Sequence, residues 1–369
     1  MKILFFLQRR MLFLLAAIAM GWLSTSHVHA QPSGARNTDF IYRVIQNDTL
    51  IDLAERYTNS PENWQDLQTL NQVVDPHGLS IGRYLRIPFD IIPELPSQAR
   101  VSYLAGQATL NGKPVVLGDM LSEGDVLTTS ANGFVTLNLE DNSISTITAS
   151  STVRVQRLRT FKSTGLLDAI FTMEQGSVES AVAPNNTGVG RFEIRTPVSI
   201  TGVRGTRLRV HSNQQGVQTE VVQGAAQVGS GSFSDPSVLQ GQGAALSSTG
   251  NFLGVRPLLP APQLEAIQTG SQGWQIPFAP VAQAQSYSVL ISADPNGTQL
   301  LSHQTFNTPP ATFSSPGPGE YYAIVRAIDS DGVMGHDSHL KFLGQSVLRS
   351  GTGLPISSGF GTSVLLTTY

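Results

Sequence analysis

The chain has 369 residues, with 23 basic against 26 acidic side chains, a net charge of −3, and no cysteine. The acidic balance excludes a nucleic-acid partner, which calls for a basic domain or stripe, and argues against attraction to anionic lipid. The missing cysteine excludes disulfides, thiol catalysis and a lipid-modified N-terminal cysteine.

At the N-terminus Lys2, Arg9 and Arg10 precede an apolar run of 13 residues, Met11 to Leu23. Small residues Val28 and Ala30 then stand where a signal peptidase reads. The run falls short of the roughly 20 residues a spanning helix needs, so residues 1–30 read as an export signal cut after Ala30. Removing it leaves 20 basic against 26 acidic residues, or −6, and no transmembrane segment after signal cleavage. Charged residues make up only 13% of the chain, while glycine and proline number 35 and 21. That composition predicts a mainly β, multidomain, turn-rich protein.

Two proline-rich seams, Ile87 to Gln98 and Arg256 to Gln263, place the expected boundaries. They give a first module at 40–89, a linker at 90–98, a β domain at 99–245, a linker at 246–262, a third domain at 263–344 and a tail at 345–369. Gly229 to Ser237 reads as a surface loop.

The first module predicts strand, helix, helix, strand. Tyr42 and Val44 share one face of a short strand. Leu50, Leu53, Ala54 and Tyr57 fall at i, i+3, i+4 and i+7, with Asp48 or Thr49 as cap. Ser60 and Pro61 open a second helix whose apolar side is Trp64, Leu67 and Leu70. A strand ending in Ile87-Pro88 closes the module. Tyr42-Arg43-Val44, Asn47-Asp48-Thr49-Leu50, Leu53-Ala54, Trp64, Asn71 and Gly82-Arg83-Tyr84-Leu85-Arg86-Ile87-Pro88 together resemble the LysM family. The departure is Asn47 in place of glycine, and asparagine tolerates the left-handed backbone best among the other residues. The resemblance implies a small βααβ fold that binds N-acetylglucosamine-containing glycans such as peptidoglycan. It also implies a groove formed by Asn47, Asp48, Thr49 and Leu50 facing Val73, Asp75, His77, Leu79 and Ile81. Neutral amides there would pair with an acetamido group, and aliphatic side chains would cover its methyl.

The middle segment alternates short strands and turns, with Asn111-Gly112 and Asn132-Gly133 as hairpin signals. Faint internal repeats, such as those ending in Arg154-Val155 and Arg209-Val210, suggest a short β-helix or rolled sheet, with a β-sandwich left open. Val203-Arg204-Gly205-Thr206, followed by strand residues through Val228, resembles the periplasmic domain of FecR-type proteins, as does Leu121 to Ile147, with Asn142 replacing a glycine. In signalling members that domain follows a transmembrane helix and an anti-sigma region, and relays the state of an outer-membrane receptor. The same stretch holds Arg195, Arg204, Arg207 and Arg209, either an anion site or ordinary strand residues. Period-two counting puts Arg207, Arg209 and His211 on a solvated face opposite Leu208 and Val210. If Gly205 does not bulge, Arg204 turns inward and must find partners.

The third domain alternates cleanly over Tyr287 to Ile291 and Tyr322 to Arg326, with Trp274 packing in a core. It resembles a fibronectin type III or other immunoglobulin-like sandwich. Gly78 to Gly82 matches Gly-x-Ser-x-Gly, but in a helix-to-strand loop rather than the strand-turn-helix a nucleophile requires. His336, Asp337 and His339 have metal-ligand chemistry but no evident third partner, and Glu140 and Asp141 point apart on a strand. No catalytic, cofactor or metal site is expected. The expectation is an exported, periplasmic, cell-wall-associated, non-catalytic protein. Its LysM module would tether it to peptidoglycan, and its β domains would offer a surface to an envelope protein partner. The alternatives are a periplasmic signalling component in which the FecR-like domain contacts a receptor or membrane sensor, and a LysM-targeted cell-wall enzyme.

Overall fold

A computed structural model of the chain describes residues 34–36, 38–182, 190–229, 236–270, 273–314, 316–348, 350, 356 and 365–366. The expected export signal, and most of the expected loop from Gly229 to Ser237, lie outside the described residues. Among the described residues no helix is long and apolar enough to cross a membrane.

The N-terminal unit is a three-stranded antiparallel sheet of β1 (Gly34–Arg36), β2 (Asp39–Arg43) and β3 (Tyr84–Pro88), in that order. Helices α1 (Leu50–Thr58) and α2 (Trp64–Asn71) connect β2 to β3. Leu50, Leu53, Ala54 and Tyr57 are all buried, as their spacing requires. Thr49 caps α1 by accepting from the Asp52 amide at 3.2 Å. Pro61 opens a 3-10 turn, Pro61–Asn63, that leads into α2.

The middle unit is one sheet of 16 strands: β4 (Glu94–Pro96), β5 (Ala99–Ala105), β6 (Ala108–Leu110), β7 (Lys113–Pro114), β8 (Met120–Leu121), β9 (Val126–Thr129), β10 (Phe134–Asn138), β11 (Ile144–Ile147), β12 (Thr152–Phe161), β13 (Leu167–Ala181), β14 (Arg191–Arg195), β15 (Ile200–Asn213), β16 (Gly216–Gly229), β17 (Ser237–Leu239), β18 (Gln242–Ser247) and β19 (Phe252–Pro257). Among these pairings only β13–β14 is parallel, so the sheet is rolled rather than stacked as a β-helix. The roll turns about the long strand β13. Its first half lies between β12 and β14, and its second half between β11 and β15. The change of neighbours falls at Gly176, whose φ is +104° and where a Cβ would collide with Ser151. Val101, Leu121, Leu127, Val135, Phe171 and Phe192 lie among the residues that fill the interior.

One of the two hairpin signals is a hairpin. Asn111 and Gly112 both take positive φ, 51° and 78°, and join β6 to β7 with Leu110 opposite Lys113. The Asn132-Gly133 expectation is corrected: β9 pairs with β6 and β12, while β10 pairs with β5 and β11. That turn joins two strands of the sheet that do not pair with each other. Gly133 is glycine because its backbone presses on the Gln107 carbonyl, where any Cβ would collide.

The third unit comprises β20 (Gln268–Gly270), β21 (Gly273–Ile276), β22 (Ser286–Ser292), β23 (Leu300–Phe306), β24 (Ala311–Phe313), β25 (Gly319–Ile328) and β26 (Ser338–Gly344). They form a three-stranded sheet β20-β21-β24 and a four-stranded sheet β23-β22-β25-β26. Trp274, Ile276, Phe313, Tyr287, Val289, Val325 and Phe342 share one core between them. Beyond it, β27 (Ser346–Val347) pairs with β28 (Leu365–Leu366).

Neither proline seam is a free spacer. Ile92 is buried in the N-terminal core, and β4 pairs with β12. From the far side Phe161 and Leu166, at the β12–β13 turn, enter that same core. The second seam opens on Arg256 and Pro257, the last residues of β19, which pair with β18, and continues into Leu258, buried against Ala245 and Val333. The apolar residues between the prolines are used for packing.

Candidate functional site

Two loops form the candidate glycan site. The first runs from β2 to α1, and the second from α2 to β3. Asn47 has φ 69°, the left-handed turn that its replacement of glycine requires. The loops are joined by the Leu50 amide, which donates to the Pro76 carbonyl at 3.0 Å. A second tie is the Gly82 amide, which donates to the Val44 carbonyl at 2.8 Å.

The expected groove residues divide by burial. Asp48, Leu50 and Val73 are buried and build the frame. Asp48 accepts from the Tyr42 hydroxyl at 2.7 Å and the Ile45 amide at 2.8 Å, with Arg56 3.5 Å away. Burial and the Asp48 carboxylate push the Tyr42 hydroxyl up to about 12, so it remains a donor at any physiological pH. Asn47, Asp75, His77 and Ile81 are exposed, and Thr49 and Leu79 are half-buried. The Asp75 carboxylate accepts from the His77 amide at 2.9 Å, which shapes the second loop. The expected set omitted Ile45 and Val74, which lie in the same two loops and are strongly exposed, Val74 at 95%. Their signal in the sequence is an aliphatic side chain within a connecting loop, the same signal that Leu79 and Ile81 give.

Asn71 is a frame residue as well. Its amide donates to the carbonyls of Leu67 and Arg86, at 2.9 and 2.8 Å, and accepts from the Arg86 amide at 2.7 Å. It thereby locks α2 to the open edge of β3, which holds the second loop in place.

The arginine stretch is the other candidate. Gly205 has φ 58°, and the β15–β16 register shifts between Arg204 and Arg207, so the strand does bulge there. Thr206 donates to the Ala225 carbonyl at 2.8 Å, holding the bulge. The side chain of Arg204 lies outside the described residues. Leu208 and Val210 face the core as expected, but the opposite face is not solvated. Arg209 is 1% exposed; its guanidinium donates to Asp337 at 2.9 Å and to the Gly335 carbonyl at 3.0 Å. Beside it Arg326 of β25 is 2% exposed and bonded to both Glu179 and Asp337. Glu220 accepts from the Met334 amide at 2.9 Å and lies 3.0 Å from the His211 ring. The Arg326 and Arg209 guanidiniums hold Asp337 well below the usual carboxylate range despite its burial, and Arg326 holds Glu179 at about 2. These residues form a buried ionic junction between the rolled sheet and the third unit. Asp337, weighed from sequence beside His336 and His339 as a metal ligand, is the carboxylate shared by both arginines.

Residues 42–88 match the LysM domain family, and residues 125–227 match the FecR protein family. LysM points to binding of N-acetylglucosamine-containing glycans such as peptidoglycan, and FecR to signalling with a protein partner. Both are non-catalytic binding or signalling families, typical of envelope or periplasmic proteins. No curated protein matches the chain. Among solved structures, two crystal structures of a candidate anti-sigma factor from Parabacteroides distasonis are similar, at 18% identity and a TM-score of 0.30. The match covers 36% of this chain and 59% of that one.

Proposed function

We propose that the protein is a non-catalytic, exported envelope scaffold that binds peptidoglycan through its LysM segment and presents the rolled sheet and third unit to a protein partner. The observation that carries this reading is the two-loop site: a frame closed by the Leu50–Pro76 hydrogen bond, with Asn47, Thr49, His77, Leu79 and Ile81 left accessible around it. These are the groups that would contact glycan, while Asp48, Leu50 and Val73 position them. The three-against-four strand order of the third unit supports a fibronectin type III-type module, a common spacer or docking element. The FecR match supports a second reading, in which the rolled sheet contributes to signalling across the envelope.

The protein without residues 1–30 should sediment with purified peptidoglycan, and Ile81→Glu should weaken binding about tenfold or more. Ile81 is 71% exposed, so the substitution should leave the melting temperature unchanged. Equal sedimentation of both proteins would reject this site, and no sedimentation of either would reject glycan binding itself. Raising salt from 0.05 to 0.5 M (about one decade) should change binding little, because the contacts are mainly neutral.

A further inference from the structure

The chain has seven histidines, two of them in the expected export signal. Of the other five, His77 lies in the candidate glycan site, and the remaining four are at or beside the junction between rolled sheet and third unit. His211 bonds Glu220 at 3.0 Å, and His303 of β23 bonds the Ser288 hydroxyl at 2.9 Å. The His336 amide donates to the Leu259 carbonyl at 2.9 Å, and its ring faces Gly241. His339 is exposed near Asp337 at the edge of the junction. The fixed charges there balance in number: Arg207, Arg209 and Arg326 against Glu179, Glu220 and Asp337.

We propose that this junction is an acid-sensitive joint, rigid at neutral pH and loosened when His303 gains a proton against the Arg326 guanidinium. His303 is bonded to Ser288, which is fully buried and stands directly opposite Arg326 in the β22–β25 register, so the imidazole and the guanidinium share the face turned to the rolled sheet. The charged and titratable groups acting on His303 from the neighbouring strands are Arg326 of β25, His211 of β15 and Glu179 of β13. Glu179 is already bonded to Arg326 through both oxygens, so it is committed to that cation rather than to a protonated imidazole. Burial and the nearby Arg326 push His303 down from 6.5 to about 4. An opened joint therefore binds more protons than a closed one between pH 6.5 and about 4, and acid favours opening across that window. Glu179, held at about 2 in the closed joint and released toward 4.5 on opening, adds to the acid response only near pH 4.5 and below, so the response between pH 7 and 5 belongs to His303. The main-chain marker is the Met334 amide, which donates across the junction to Glu220.

Hydrogen exchange on the protein without residues 1–30, corrected for the intrinsic pH dependence of exchange, tests this. Protection at Met334 should fall about tenfold between pH 7 and 5. The Val44 amide, bonded to Arg83 inside the N-terminal unit, should keep its protection. His303→Gln, which keeps a hydrogen-bonding group toward Ser288 and stays uncharged, should remove most of the Met334 response. Unchanged protection at Met334 in the unmodified protein would overturn the proposal without any variant. So would parallel loss at Val44, which would mean general acid unfolding, or an acid response undiminished in a folded His303→Gln protein.

Discussion

Arg326→Ala should lower the unfolding free energy by about 3–5 kcal/mol, because it strands two buried carboxylates. Glu179 and Asp337 depend on this guanidinium for charge compensation, and their side chains are only 13% and 7% exposed. Urea unfolding at neutral pH would measure the loss, and a value under about 1 kcal/mol would mean that solvent reaches the junction. Arg209→Ala should follow at about 2–4 kcal/mol, since Asp337 would retain Arg326. Arg207→Ala should cost under about 1 kcal/mol. Its guanidinium is a third exposed, reaches the Asn296 carbonyl at 3.2 Å and lies 3.9 Å from Asp337. A second substitution separates stranded charge from lost packing: Arg326→Met with Glu179→Leu should be less damaging than Arg326→Ala alone.

That ranking could not be read from the strand itself. Period two correctly sent Leu208 and Val210 inward, and it correctly grouped Arg207, Arg209 and His211 on the opposite face. What covers that face comes from more than a hundred residues later, at Gly335 and Asp337, and no local pattern carries such a distance. The same limit explains Arg326. Its neighbours in β25 alternate as a sandwich strand should, and Tyr287, Val289 and Val325 fill the core on one side. The other side, with Ser288, Ile324 and Arg326 buried, mixes polar and apolar residues, and what covers it, Phe134 and Glu179 of the rolled sheet, lies far away in the chain. In the LysM segment the helix spacing, the turn at Asn47 and the strand ends were all legible, since short-range contacts determine them. The roles of Asp48 and Leu50 were less so. Both lie in the loop that faces the candidate groove, yet their side chains turn into the module. A motif locates a loop more readily than it assigns each side chain to frame or contact. The Asn132-Gly133 turn failed for a related reason: a hairpin signal specifies a reversal, but the strand pairing depends on which strand offers a partner.

Phe161→Ala should destabilise the N-terminal unit by about 3 kcal/mol, an effect that a flexible linkage between modules would not produce. Phe161 belongs by sequence to the rolled sheet, at the end of β12, but its ring is 7% exposed and packs on Phe89 with centroids 4.4 Å apart. Together with Leu166 and Ile92 it completes the core built by Leu50, Leu53, Tyr57 and Leu85. Backbone bonds reinforce the contact, with the Lys162 amide donating to the Pro93 carbonyl at 2.9 Å and the Ser97 amide to the Leu158 carbonyl at 3.1 Å. Truncating the ring leaves a cavity at the boundary that neither side can collapse to fill, because β4 pins the seam to β12. The expected result is early exchange of amides in α1 and early proteolysis between Ile91 and Gln98, with the third unit unaffected. In the unmodified protein this seam should resist protease as well as the strands do. Rapid cleavage there before substitution would show that the N-terminal unit is only loosely attached. Resistance that survives Phe161→Ala would assign the attachment to the β4–β12 pairing instead. If the seam behaves as its packing requires, a glycan bound at the LysM loops as proposed would set the orientation of the rolled sheet, and through Arg209, Arg326 and Asp337 that of the third unit beyond it.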